Sequence, residues 1–176
     1  MKELGYFMTK VKGKLLGNRK ERMCDYFRKA GMKIGNNCNI VSNIMTTEPY
    51  LVEVGNKVTF SGGVTLLTHD NSISKVIPGS TDMFGKIKIG NNCFIGMNTT
   101  ILYGVTLADN VIVASGSVVT KSFLEPNVII GGNPARVIGT WDKFAEKCKD
   151  KALNIKGLSA QQKFELLSNE NNLVSR

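Results

Sequence analysis

The chain's single histidine, His69, stands beside Asp70 in the segment Leu66-Leu67-Thr68-His69-Asp70. An imidazole titrates near neutrality, so a positioned histidine can take a proton from a hydroxyl or an amine, and general-base work is the chemistry this pair offers. Asp70 has two roles open to it: orienting the ring, or accepting hydrogen bonds from a substrate. A solvated surface histidine is the competing explanation. The choice depends on what holds residue 69 in place.

The surrounding chain supplies that frame. Ten six-residue blocks between Ile34 and Leu124 repeat one pattern. Their first residues are large and apolar: Ile34, Ile40, Val54, Phe60, Ile89, Ile95, Ile101, Leu107, Val113 and Val119. A further block opens at Leu66 and is cut short at Asp70. The fifth residues are smaller: Cys38, Ile44, Val58, Val64, Cys93, Thr99, Val105, Val111, Ser117 and Phe123. Eight of the ten fourth residues are Asn or Gly, the exceptions being Lys57 and Ser122. Asn and Gly tolerate positive φ, which a sharp corner demands. Short strand, corner and short strand on a six-residue period spell an all-β solenoid, the hexapeptide parallel β-helix. A β-sandwich would alternate in twos without fixing Asn or Gly at each sixth place.

Three blocks make one triangular turn, and each turn buries its apolar residues only by stacking on its neighbours. Two extra residues precede Val54, and the register breaks after Leu66 until Ile89. Residues 71–88, with Pro78, Gly79 and Gly85, are expected to leave the prism as a loop. His69 stands at its root, and loops on rigid scaffolds concentrate binding and catalysis. The expected organisation is a basic helical lead over 1–33, the β-helix domain over 34–138 and a helical tail over 139–176. Two short helices within 3–30 are expected to cap the open end of the prism, and two more are expected near Trp141–Cys148 and Ala160–Leu167.

Composition sets further limits. Four cysteines, two at inward repeat positions, lack C-x-x-C spacing and read as buried thiols of a cytoplasmic protein. No leader peptide and no membrane-spanning run is expected. The net charge is +9, with lysines and arginines concentrated before the repeats. Basic residues interleaved with aromatics are missing, so nucleic acid is not the expected partner. An anionic membrane face, a polyanionic small ligand and a merely solvated helix face remain open. One histidine cannot furnish the three-histidine zinc site of γ-carbonic anhydrases, so no metal is expected.

Three ordered segments carry a resemblance. Ile89-Gly-Asn-Asn-Cys-Phe-Ile-Gly-Met97, Val113-Ala-Ser-Gly-Ser-Val-Val-Thr-Lys121 and Gly131-Gly-Asn-Pro-Ala-Arg-Val-Ile138 resemble motifs of the hexapeptide acyltransferase family. The similarity is to its maltose/galactoside acetyltransferase and capsule or lipopolysaccharide O-acetyltransferase branch. It implies a left-handed parallel β-helix, a homotrimer with active sites between subunits, and acetyl-CoA as co-substrate. By position, His69 would be the base that activates an acceptor hydroxyl for direct attack on the thioester. Backbone N–H groups near Ser115 would steady the oxyanion. Met97, Ser115, Thr120 and Lys121 fall where the family lines the pantetheine and phosphate groove, and Arg136 where it contacts the nucleotide end. Acceptor-side matches are Asn43, Glu48, Asp70 and Asp82.

The reading that follows is an O-acetyltransferase acting on a sugar hydroxyl in surface-polysaccharide biosynthesis, placed in the cytoplasm or at the inner membrane face. N-acetylation of an amino sugar would use the same base and groove. A non-catalytic β-helix scaffold is the alternative of a different class. The basic lead differs from the acid-containing start of the enzymes that modify free disaccharides, which points to a polymeric, lipid-linked or nucleotide-sugar acceptor.

Overall fold

The computed structural model describes residues 3–174. The sixth residue of one block and the first of the next form each short strand, and these strands assemble into three faces. Lys33–Ile34, Val52–Val54, Ile87–Ile89 and Thr106–Leu107 make the first face. Asn39–Ile40, Thr59–Phe60, Phe94–Ile95, Ile112–Val113 and Val128–Gly132 make the second, closed by Ala135–Thr140. Thr65–Leu66, Thr100–Ile101 and Val118–Val119 make the third, with a single bridge from Met45 to Thr65 extending it. The chain visits the faces in rotation, so each circuit is one coil. Parallel pairing joins coil to coil, as in the row Ile34, Val54, Ile89 and Leu107.

All ten fifth-position side chains are buried, as are the first-position ones. The two polar members are satisfied, since Thr99 and Ser117 both donate to the Ala114 carbonyl, at 3.4 and 2.6 Å. Left-handed backbone falls on the fourth residue of eight blocks, with φ between 55° and 77°. One of these is Lys57 (φ 57°), while Asn43 and Ser122 are not left-handed. Residue type alone therefore misassigns two positions, Asn43 and Lys57.

Two expectations need correction. The excursion is not a free loop: His69–Asp70 pairs antiparallel with Met83–Phe84, and a 3₁₀ turn spans Ser72–Lys75. It also ends earlier than expected, because Ile87 and Lys88 already lie in the first face against Val52 and Glu53. At the other end the two helices contribute unequally. Helix α1 is Glu3–Leu16 and helix α2 is Arg19–Lys29. Met23, Cys24 and Phe27 of α2 enter the core, whereas α1 packs on α2 and reaches the core through the half-buried Tyr6.

The chain divides into two compact units, 1–139 and 140–176. The second holds helices α3 (Trp141–Cys148) and α4 (Ala160–Leu167). Helix α4 starts with a capping box in which the Ser159 hydroxyl and the Gln162 side chain satisfy each other's backbone N–H. All four cysteines are free. Burial pushes the Cys24 and Cys93 thiols up to about 11 and also raises Cys38, so these three are inert core residues rather than nucleophiles. No helix among the described residues is long and apolar enough to cross a membrane.

Candidate active site

The three faces meet at three corners, and the candidate residues divide between two of them. At the corner from third face to first, Thr68, Tyr103 and Lys121 hold equivalent places on successive coils, following the register of Leu66, Ile101 and Val119. The coil before Thr68 places Glu48 there, since the Met45–Thr65 bridge fixes an offset of twenty residues. Glu48 is joined to Thr68 twice. Its N–H donates to the Thr68 hydroxyl at 3.3 Å, and that hydroxyl donates to Glu48 Oε2. Thr68 is itself buried, so the carboxylate is pinned from below.

His69 follows Thr68 and turns its Nδ1 to the same oxygen, 2.8 Å from Glu48 Oε2. The Glu48 side chain is 13% exposed and that of His69 30%. Burial works to raise the Glu48 carboxyl, but hydrogen bonds from Thr68 and His69 outweigh it and hold the group below its ordinary value. The hydrogen bond to Glu48 lifts His69 above the usual imidazole range against partial burial, with the charges of Glu48, Asp82 and Asp70 adding to it. An ionised carboxylate only accepts, so the neutral ring carries its proton on Nδ1 and keeps a lone pair on Nε2. The Phe84 ring stands beside the imidazole, centroid to centroid 5.7 Å.

Asp70 is engaged elsewhere. It accepts from the Ser72 N–H at 2.8 Å and from the Tyr103 hydroxyl at 3.1 Å. Hydrogen bonds from Ser72, with Tyr103 assisting, hold its carboxyl below the ordinary value. The ring-orienting role open to Asp70 in the sequence thus belongs to Glu48, and Asp70 ties the root of the excursion to the next coil. Asp82 is exposed on the returning arm of the hairpin. The returning arm passes so close to the coil that a Cβ on Gly85 would come within 2.5 Å of the Gly104 nitrogen. Thr68, Tyr103 and Phe84 went unnoticed in the sequence; counting coil offsets through the two-residue insertion would have brought Glu48 and Thr68 together.

The groove candidates sit on two corners. Met97 and Ser115 stack at the corner from second face to third, where the Met97 N–H donates to Ser115 Oγ at 3.2 Å. Gly62 lies beneath, its Cβ position 3.7 Å from the Met97 methyl. The closing hairpin covers this corner's far end, with the Gly132 N–H 3.3 Å from Ser117 Oγ. Arg136 lies in that hairpin, exposed, with one guanidinium N–H on its neighbour's carbonyl, that of Ala135, at 2.8 Å. Thr120 and Lys121 are exposed at the His69 corner, and the Lys121 ammonium stands 5.7 Å from the Phe123 ring centroid. Asn43 lies on the first coil, at a cavity of about 330 Å³ that Met45, Thr46, Leu66 and Leu67 also line, and its buried Oδ1 has no hydrogen-bond partner among the described residues. One chain therefore gathers His69, Glu48, Asp70 and Asp82, and places Met97 and Ser115 across the third face from them. Among the described residues no three His, Cys, Asp or Glu side chains cluster as a metal site.

Comparison with known proteins agrees with this architecture. The family described as bacterial transferase hexapeptide (six repeats) matches residues 86–121. Protein CapG of Staphylococcus aureus is 43% identical over 152 residues, covering 83% of this chain and 87% of that one. The galactoside O-acetyltransferase of Escherichia coli is 34% identical over 110 residues, covering 62% of this chain and 54% of the enzyme. Among solved structures, a hexapeptide-repeat acetyltransferase of Vibrio cholerae superposes with a TM-score of 0.60 at 19% identity, over 79% of this chain and 92% of that one. The likeness implies the left-handed parallel β-helix for the coils seen here. This chain belongs to the hexapeptide-repeat acyltransferase family.

Proposed function

We propose that this protein transfers an acetyl group from acetyl-CoA to a sugar hydroxyl, with His69 as general base. The observation that carries the reading is the Glu48–His69 pair. A carboxylate fixed by a buried threonine holds Nδ1, so the basic lone pair is on Nε2, presented at the root of a hairpin. Nε2 takes the acceptor proton as the oxygen attacks the thioester carbon. The tetrahedral intermediate then collapses with C–S cleavage, and the imidazolium returns its proton to the departing thiolate. No covalent acyl-enzyme is needed, which accords with the burial of Cys24, Cys38 and Cys93.

The remaining assignments follow the same reading. Met97, Ser115, Thr120 and Lys121 line the donor groove, and Arg136 meets the phosphates of the nucleotide end. Because Met97 and Ser115 stand across the third face from His69, a site completed between copies accounts for the division, and a homotrimer supplies three such sites. Glu48 is a positioning residue rather than a sugar ligand; Asn43, Asp70 and Asp82 remain on the acceptor side. The basic lead supports an acceptor in a surface polysaccharide or its precursor, met on the cytoplasmic side.

The test is to incubate the purified protein with acetyl-CoA and a panel of free sugars, nucleotide sugars and polysaccharides. The expected product releases acetate in mild base, as an ester does. A base-stable product would indicate N-acetylation instead. No thiol release with any acceptor, together with no rise in melting temperature on adding acetyl-CoA, would leave a scaffold.

A further inference from the structure

The fold leaves most of the apolar pattern of α1 exposed: Phe7, Met8 and Leu15 face solvent, and Val11 is half-buried. The packing face of the helix is built from small residues: a Cβ on Gly13 would lie 2.9 Å from Arg19 Cα, and one on Gly5 3.5 Å from the Tyr26 ring. Tyr6 completes this face, edge-on to Tyr26 at 6.2 Å. The opposite face carries Phe7, Met8, Val11 and Leu15, whose spacing puts them on one stripe. Phe7 is 59% exposed and Leu15 77%. Lys10 and Lys14 flank the stripe on one side and Lys12 on the other, all exposed. Arg19 and Lys20 extend the basic margin onto α2, where Glu21 and Asp25 are already paired to Arg28 at 2.6 and 2.8 Å.

We propose that α1 lies on an anionic lipid surface, its apolar stripe in the headgroup boundary and its lysines among the phosphates. Three occupants can be weighed by chemistry. A second copy meeting the stripe face to face would bring lysine margin against lysine margin. A nucleic acid would engage the lysines but leave Phe7 and Leu15 in water. An anionic membrane surface satisfies both at once, as interfacial amphipathic helices do. At fourteen residues the helix is too short to span a bilayer, so it would lie in the interface plane.

The experiment is co-sedimentation of the full chain with vesicles of phosphatidylcholine alone or of equal parts phosphatidylcholine and phosphatidylglycerol. Binding is expected only to the anionic vesicles, and salt should weaken it. The variant K10Q/K12Q/K14Q should bind about 100-fold more weakly, from the loss of three surface-proximal charges. F7S/L15S should lose about 10-fold or more, and both variants should keep the parent melting temperature because the altered side chains are exposed. Failure to pellet with either vesicle would overturn the proposal, as would undiminished binding by F7S/L15S. So would self-association in buffer that F7S/L15S abolishes, since the stripe would then belong to a second copy.

Discussion

Two corners of the same prism are built on opposite plans. From first face to second, Asn36, Asn56, Asn91 and Asp109 form a continuous ladder. The Asn36 N–H donates to Asn56 Oδ1 at 2.8 Å, Asn56 N–H to Asn91 Oδ1 at 2.9 Å and Asn91 N–H to Asp109 Oδ1 at 2.7 Å. Beside it, Asn92, Asn110 and Asn127 bond side chain to side chain at 2.8 Å each. Every coil hands its corner polarity to the next. From third face to first the equivalent positions are Glu48, Thr68, Tyr103 and Lys121, and the chain leaves the prism after His69. There the in-register bonding is confined to Glu48 and Thr68, and Asp70 bonds Tyr103 across the break. A regular corner satisfies its own backbone, while the interrupted one turns one ring nitrogen to Glu48 and leaves the other without a partner among the described residues. The repeat supplies rigidity, and its interruption supplies the candidate site.

The largest test of this contrast removes the ring. His69→Ala should lower kcat/KM by about 10² to 10⁴-fold, the range of a lost general base, and leave the melting temperature nearly unchanged. A wild-type rate would make the interrupted corner as structural as the other. Next comes the partner. Glu48→Gln removes the charge that holds Nδ1 protonated, and turnover should fall about 100-fold through loss of orientation. The sign of the pH effect follows from the hydrogen bond to Glu48, which raises His69 above its reference of 6.5. Below that raised value the ring is protonated and cannot act as base, so the acid limb of kcat/KM should have its midpoint above 6.5 in the parent. In Glu48→Gln the midpoint should move to lower pH. A merely structural Glu48 would reduce the rate without moving the profile.

The ladder corner should respond in the reverse way. Asn91→Ala takes away the acceptor of the Asn56 N–H and both side-chain donors to Asp109. It should cost about 1–2 kcal/mol in chemical denaturation, since the freed groups are exposed enough for water to replace part of what is lost. The specific activity of the folded fraction should stay at the parent level. A loss of activity without loss of stability would show that the two corners are not separable.

How far the sequence foretold this division depends on which residues stack. The first and fifth positions of each block were legible because burial demands apolar or small side chains there. His69 was legible as the sole histidine at the main break in register. Glu48 as its partner was not, because the two-residue insertion between Thr46 and Val54 hides an offset of twenty behind a period of eighteen. Met83 and Phe84 read as apolar, yet they form an exposed hairpin arm, one of them against the imidazole. The unequal packing of the two lead helices was hidden for a related reason: apolar spacing reveals a face and not what covers it, and here Gly5 and Gly13 lie on the face of α1 packed against α2.

The smallest effect concerns Lys57, where the ladder corner departs from its own rule. Its φ of 57° is one that Asn and Gly hold at the equivalent corners. A side chain bearing an ordinary Cβ loses about 1 kcal/mol in that region relative to glycine, and asparagine loses less because its amide bonds locally. Lys57→Gly would relieve the strain but give back much of the gain to the looser unfolded chain. Lys57→Asn relieves it without that loss, keeps the Lys57 N–H bond to the Asn36 carbonyl at 2.8 Å, and restores the residue type found at Asn37 and Asn92. It should therefore raise stability by about 0.5 kcal/mol, read as a higher denaturation midpoint at unchanged slope. An increase from Lys57→Gly larger than that from Lys57→Asn would mean that backbone strain alone, and not asparagine's own bonding, governs the corner.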